Sequence, residues 1–232
     1  MGTKVLFFFE IYKFYSKNLR ISQFFLHKSW NLCTFAVATI FVMINSKECY
    51  KEYVRLDKRA HQIEHLSLYS YIRCDCLRFQ LRLRKIEYLY NVHRTNPFCQ
   101  LYRFWLEFIN HRLAVRLGLT IPKNVFGPGL CIVHHGTVVV SDKARVGRFC
   151  RIHPGTCIGD YNGAPTLGDF VYIGPGAKLF GDIRIGNNVA IGANAVVNSS
   201  FEANQTIGGI PAHKLSSKSS IENGVFPPNI PN

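Results

Sequence analysis

No stretch of this 232-residue chain reaches the roughly 20 consecutive apolar residues that carry a helix across a bilayer. The longest apolar run, Leu32 to Ile44, has 13 residues. That is signal-peptide length, yet Asn45-Ser46-Lys47-Glu48 follows where a small-residue cleavage site belongs. Met43 opens a better-behaved segment. Residues 1–45 therefore read as an uncertain apolar extension, over-extended or poorly packed, rather than as a membrane anchor. Cys-x-x-Cys is also missing. The eight cysteines are scattered, at 33, 49, 74, 76, 99, 131, 150 and 157. Without a convincing export signal they point to a reducing, cytoplasmic setting, not to a disulfide framework. There is no zinc-finger spacing, RNA-binding aromatic signature or basic-region zipper, so no nucleic-acid partner is expected. Acidic residues are scarce, 14 against 28 basic, for a net charge of +14. Residues 1–118 hold 19 basic and 8 acidic residues, and the remainder 9 and 6. A basic first half suits nucleic acid, an anionic membrane or an acidic partner, although a solvated helical surface accounts for it without any of them.

What is present divides at Gly118. From Lys47 to Tyr90 glycine and proline are rare, and Leu77, Leu81, Ile86 and Leu89 recur at three- and four-residue steps, as on an amphipathic helix. Asn96-Pro97 reads as an N-cap followed by proline at the first helical position. Leu101, Phe104, Trp105, Phe108 and Leu113 follow at helical spacing, and Gly118 supplies the stop. Residues 46–118 are thus predicted to be α-helical.

After Pro122 glycine becomes frequent and an aliphatic residue recurs at every sixth position. One ladder runs Val140, Val146, Ile152, Ile158; a second runs Leu167, Ile173, Leu179, Ile185, Ile191, Val197. A three-residue insertion separates Ile158 from Leu167. Small residues recur at the fifth place: Ala144, Cys150, Thr156, Ala177 and Ala195. Period six is neither the 2 of an ordinary strand nor the 3.6 of a helix. It fits a triangular coil in which each hexapeptide makes one short strand and one turn, and three hexapeptides close a rung. The aliphatic side chains stack inward on their equivalents above and below. Glycine or asparagine lets the corner adopt positive φ, and the small residue keeps the corner uncrowded. A single rung cannot bury its own core, so several must stack.

These residues resemble a known family. Residues 121–215 look like the left-handed β-helix of hexapeptide-repeat acyltransferases. Gly127-Pro-Gly-Leu-Cys-Ile-Val-His134, Gly136-Thr-Val-Val-Val140, Ile173-Gly-Pro-Gly-Ala-Lys178 and Gly208-Gly-Ile-Pro-Ala-His-Lys214 resemble the serine O-acetyltransferase branch. The implied fold is α+β: an N-terminal α-helical segment, a left-handed parallel β-helix over 119–215, and a mobile tail, 216–232, rich in Ser, Pro and Asn. The coil's hand is an exception to the usual right-handed crossover. The implied assembly is a homotrimer or dimer of trimers, because family sites form between neighbouring coils.

Counting back in sixes from Val140 places His134 on an inward ladder position, where imidazole replaces valine poorly unless the coil opens locally. Acetyl transfer from a thioester to a hydroxyl needs a base, and histidine, titrating near ~6.5 when unperturbed, suits that. By resemblance His134 is that base. His135 and His153, one 18-residue rung apart, are expected on one face. They read as acceptor-pocket residues, as incidental surface residues, or with His134 as an approach to a metal like the intersubunit zinc of carbonic-anhydrase-like β-helices. The His-x-x-x-x-His spacing of that family is missing, so no metal is expected. For acetyl-CoA, the implied donor, the resemblance assigns backbone groups at Ala177 and Ala195 to the pantetheine arm, the small side chains letting it lie close. Lys214, and also Lys178, would meet phosphates.

Three departures weaken serine as acceptor. The position of the family's base-orienting aspartate falls on Leu119, with Thr120 next, and the acid before the catalytic histidine is Val133. The loop that should carry a second histidine reads Asp160-Tyr-Asn-Gly-Ala-Pro165. The expectation is an acetyl-CoA-dependent O-acetyltransferase, serine-type by resemblance. A sugar hydroxyl of a capsule or lipopolysaccharide precursor is the alternative acceptor, and a non-catalytic scaffold the rival of another class.

Overall fold

The computed structural model of the chain describes residues 43–63, 65, 67–226 and 230. Most of the extension read over 1–45 lies outside these residues.

Among the described residues the helices are α1 (Lys47–Ala60), α2 (Leu68–Arg73), α3 (Asp75–Val92) and α4 (Pro97–Leu117). Local chemistry sets their ends. The Ser46 side chain accepts from Cys49 N at the start of α1. Asn96 Oδ1 accepts from Cys99 N at 3.1 Å, with Pro97 at the first turn of α4. Gly118 ends α4 in the left-handed region, φ 74°. An added Cβ there would press on the Gly136 backbone at 3.2 Å, so glycine also permits the close approach of the first two rungs.

The chain then winds into a three-faced parallel coil. One face stacks β1 (Leu119–Thr120), β3 (Val138–Val140), β6 (Cys157–Gly159), β9 (Lys178–Phe180) and β12 (Val196–Val197). A second stacks β4 (Arg145–Val146), β7 (Thr166–Leu167) and β10 (Arg184–Ile185). The third stacks β2 (Cys131–Ile132), β5 (Arg151–Ile152), β8 (Tyr172–Ile173), β11 (Ala190–Ile191) and β13 (Thr206–Gly209), and ends in β14 (Ala212–Ser216), which pairs antiparallel with β13. The fold is thus the helical segment and hexapeptide β-helix expected from the sequence. All ten ladder positions are buried, none more than 3 % exposed, and the corner residues Ala144, Cys150, Thr156, Ala177 and Ala195 are equally enclosed. The predicted insertion is the bend over Asp160–Ala164 between β6 and β7, which lengthens the step from Ile158 to its partner Leu179 to 21 residues.

One corner carries a column of left-handed residues: Gly129 (φ 85°), Phe149 (52°), Phe170 (57°), Asn188 (59°) and Asn204 (59°). Asparagine and glycine take this conformation readily, whereas phenylalanine there costs about 1–2 kcal/mol. The two rings recover part of it by stacking at 5.1 Å. The Phe149 ring fills the space beneath Gly129, where a Cβ would lie 2.5 Å from it.

The helices join the coil through a buried charge cluster. Arg84 of α3 uses all five of its N–H donors. They go to Asp57 Oδ2 (2.8 Å) and Oδ1 (3.4 Å), Glu87 Oε2 (3.0 Å), Phe126 O (2.8 Å) and Gly127 O (2.7 Å). Asp57 Oδ1 accepts from Gly129 N and Leu130 N, and Glu87 Oε1 from Asn124 N. Every side chain of the trio is at most 2 % exposed. Burial opposes the guanidinium charge, but the two carboxylates more than offset it and hold Arg84 protonated. Apolar packing is continuous across the same junction, from Phe79, Leu83 and Leu113 into Val125, Leu130 and Ile132.

The tail expected to be mobile is anchored over its described part. Ser220 is fully buried, its N–H donating to Asn188 O and its hydroxyl to Phe170 O, and Phe226 packs edge-on against Phe170. Its polar composition hides a few anchoring contacts that a hydropathy argument does not see.

Candidate active site

The site expected around His134 is built at the turn between β2 and β3. Ile132, not His134, occupies the inward position and pairs with Ile152. That step spans 20 residues, two more than a regular rung, and the next inward residues on β3 are Val138 and Val140. The extra residues bend outward, and His134 and His135 are both exposed. The inward placement of His134 is therefore corrected: counting in sixes assumed an unbroken repeat, and the two-residue excess moves the imidazole from core to surface. The bend is held from both sides, Val133 N donating to Ile152 O at 3.1 Å and Gly136 N to Leu117 O at 2.9 Å. Gly136 (φ 141°) sits over Pro154, where a Cβ would approach to 2.8 Å. The histidine pair is thus fixed above the His153-Pro154-Gly155 turn of the next rung.

The same excess changes the partner of His153. The pairing of Ile132 with Ile152 sets His153 beside Val133, so His135 and His153 do not stack in register as an 18-residue rung would have them. His153 is half-buried, and its ring meets Tyr172 edge-on at 5.1 Å. Its Nε2 is enclosed without a hydrogen-bond partner among the described residues. Burial first, then Arg151 and His134, push its pKa below the ordinary histidine value. Its carbonyl accepts from Thr156 Oγ1 at 2.8 Å, which fixes the turn. Tyr172, unremarked in the sequence, belongs to this column. The pairing of Arg151 with Tyr172, 21 residues on, is the signal that would have found it, but it requires knowing the insertion.

Ala177 and Ala195 lie one rung apart, but their side chains are fully enclosed. The fifth place of the repeat points into the corner, which admits only a small side chain. Their carbonyls accept from Cys157 N and Lys178 N, and their own N–H groups make only long turn bonds, 3.3 and 3.4 Å, to Gly174 O and Gly192 O. Lys178 is exposed and its Nζ contacts Gly155 O, which ties it to the turn beneath His134. Lys214 is exposed on β14. At the first two departures, Leu119 is buried, Thr120 exposed and Val133 partly buried, so none supplies a carboxylate. The insertion loop projects outward, with Asp160 bonded to Lys143 at 2.6 Å and Tyr161 exposed. Among the described residues no group of His, Cys, Asp and Glu is arranged to hold a metal.

Beside the bend, a cleft of about 920 Å³ opens between α4 and the first rungs. Thr137 and Val139 reach it; His134 does not. Its polar wall includes Glu107, which accepts from Arg103 and Lys123, and Asn110, whose buried Oδ1 has no partner among the described residues. Asp142 stands at its rim.

Comparison with known proteins agrees with this architecture. The bacterial transferase hexapeptide (six repeats) family matches residues 164–199. A serine acetyltransferase of Synechococcus elongatus is 37% identical over 115 residues, 47% of either chain. One of Mycobacterium tuberculosis is 34% identical over 115 residues, 47% of this chain and 50% of that protein. The chain thus spans about half the length of the curated relatives it matches. Among solved structures, Neisseria gonorrhoeae serine acetyltransferase in complex with serine is 25% identical with a TM-score of 0.56, over 74% of this chain and 71% of that one. Brucella abortus serine acetyltransferase has the same TM-score at 21% identity, over 75% and 72%. These overlaps exceed the coil alone, so the shared fold takes in part of the helical segment. The chain is a hexapeptide-repeat β-helix protein. Within that class it is similar to serine acetyltransferases.

Proposed function

We propose that this chain is an acetyl-CoA-dependent O-acetyltransferase that acetylates the hydroxyl of serine, with His134 as general base. The observation that carries this is the outward bend at His134–His135. An imidazole on a bend whose backbone is held on both sides stands at the surface, open to substrate. In the reaction, His134 takes the proton of the acceptor hydroxyl as its oxygen attacks the thioester carbonyl. The tetrahedral intermediate then expels the CoA thiolate, which receives the proton back from the imidazolium. By the resemblance, backbone groups at Ala177 and Ala195 would border the pantetheine arm of the donor, with Lys214 and Lys178 toward its phosphates. His135 and His153 border the acceptor. The relatives named serine acetyltransferase, and the serine-bound structure of one, support this choice. The reaction would run in the cytoplasm, on a trimer or dimer of trimers, without a metal.

A sugar hydroxyl is the second reading. Leu119, with Thr120, stands at the position of the base-orienting aspartate and Val133 at that of the acid before the histidine, and this shortage of charged groups favours an acceptor that is not an amino acid. Thiol release from acetyl-CoA, followed with serine, homoserine and sugar acceptors, separates the two. His134→Ala should lower turnover by about 10²–10⁴-fold. Unchanged turnover in this variant would remove His134 from the mechanism. Absence of both turnover and calorimetric CoA binding would instead make the coil a scaffold.

A further inference from the structure

α4 buries one side and leaves an aromatic stripe on the other. Leu106, Asn110, Leu113, Ala114 and Leu117 face the protein. Phe98, Leu101, Trp105 and Phe108, with Phe104 on the flank, recur at three- and four-residue steps on the opposite side. Phe98 is 82 % exposed, Leu101 72 % and Phe108 64 %. In sequence these residues showed helical spacing and no more. Further along the same stripe the side chains become cationic, at Arg112 and Arg116. Together with Arg78 and Arg82 of α3 they line a recess of about 370 Å³ that Ile72 and Ile109 also border. Arg78 is held by Asp75 and by Ile72 O. Arg82, Arg112 and Arg116 have no carboxylate partner among the described residues.

We propose that this face docks on an anionic lipid surface, the aromatic side chains entering the headgroup region and the arginine recess taking lipid phosphates. Charge complementarity selects that occupant. The only acid on α4 is Glu107, already bonded by Arg103 and Lys123. A second copy laid on the face would bring two arginine recesses together, with Asp75, already bonded to Arg78, the carboxylate beside them. Tryptophan, tyrosine and phenylalanine beside arginine is the composition that settles at a bilayer interface, where the rings bury and the guanidinium groups meet phosphate. The attachment is peripheral: no described helix is long and apolar enough to cross a membrane. The excess of 19 basic over 8 acidic residues in 1–118 adds long-range attraction of the same sign.

The test uses the full chain carrying Trp30→Phe, so that Trp105 is its remaining tryptophan. It is sedimented with phosphatidylglycerol-containing vesicles or with pure phosphatidylcholine vesicles, while Trp105 emission is recorded. The expected result is binding about tenfold tighter to the anionic vesicles, weakened in about 0.5 M salt, with a blue shift of emission. Trp105→Glu/Phe108→Glu and Arg112→Glu/Arg116→Glu should each abolish both signals while retaining the wild-type circular dichroism spectrum. These positions are exposed; should one pair lose the spectrum, the wild-type shift and the other pair still decide. Absence of binding to either vesicle, or binding that both folded variants retain, overturns the proposal. So does an oligomer, seen by ultracentrifugation, that dissociates in the Trp105 variant while vesicles are ignored, which would assign the face to a second copy.

Discussion

At the scale of single residues, the coil is governed by which side chains its corners tolerate. Gly129 heads the column of left-handed residues with the Phe149 ring directly beneath it. Gly129→Ala incurs both the cost of a left-handed alanine and the displacement of that ring. The expected loss is about 2–4 kcal/mol in urea unfolding, with the slope unchanged. His134 teaches the complementary lesson. Its place on the bend follows from two extra residues between Ile132 and Val140, a local excess invisible to a count by sixes that starts downstream. The inward valines, isoleucines and leucines were legible because one period places all of them. The candidate base was legible as a residue type in a motif, but its exposure was not, because its position rests on a break in that period.

Among the elements, α1, α3 and the first turn of the coil are joined by Asp57, Arg84 and Glu87. Replacing Arg84 by Leu strands two buried carboxylates and removes donors from the Phe126 and Gly127 carbonyls. The expected destabilisation is about 3–5 kcal/mol, read by denaturant unfolding. Asp57→Asn, which keeps an acceptor oxygen for Gly129 N and Leu130 N, should cost less. The helices themselves were legible from Asn96-Pro97, Gly118 and the scarcity of other breakers. Their attachment was not. Asp57 and Arg84 are 27 residues apart, and in sequence each resembles the solvated charges around it. Arg84 and Glu87 share a side of α3 with the buried Leu77 and Gln80, a weak signal that a three-residue ion pair turns inward. The aromatic stripe of α4 was legible as helix but not as surface. Helical spacing marks which residues share a side, and only tertiary packing decides which side is covered.

For the molecule as a whole, acid sensitivity begins at two histidines. Burial lowers the pKa of His61, opposed by its 3.2 Å contact with Gln80, whose amide in turn donates to Leu130 O of the coil. His153 is lowered as well. A depressed histidine favours folding while it is neutral. The contribution is whole above the unfolded value near ~6.5 and is lost as pH falls from there through the folded values. The thermal midpoint should therefore fall by a few degrees, about 2–6 °C, between pH 7 and 5. His61→Gln should flatten that slope, and a midpoint independent of pH over this interval would contradict the burial of both rings. The antiparallel strand β14 bears on a different property. A stack of parallel rungs presents, at its last turn, a row of open amide and carbonyl groups on which another chain could continue the pattern indefinitely. By reversing direction, Ala212–Ser216 replaces the parallel register that a further rung would need on that face, so the coil's own pattern is not continued there by simple stacking.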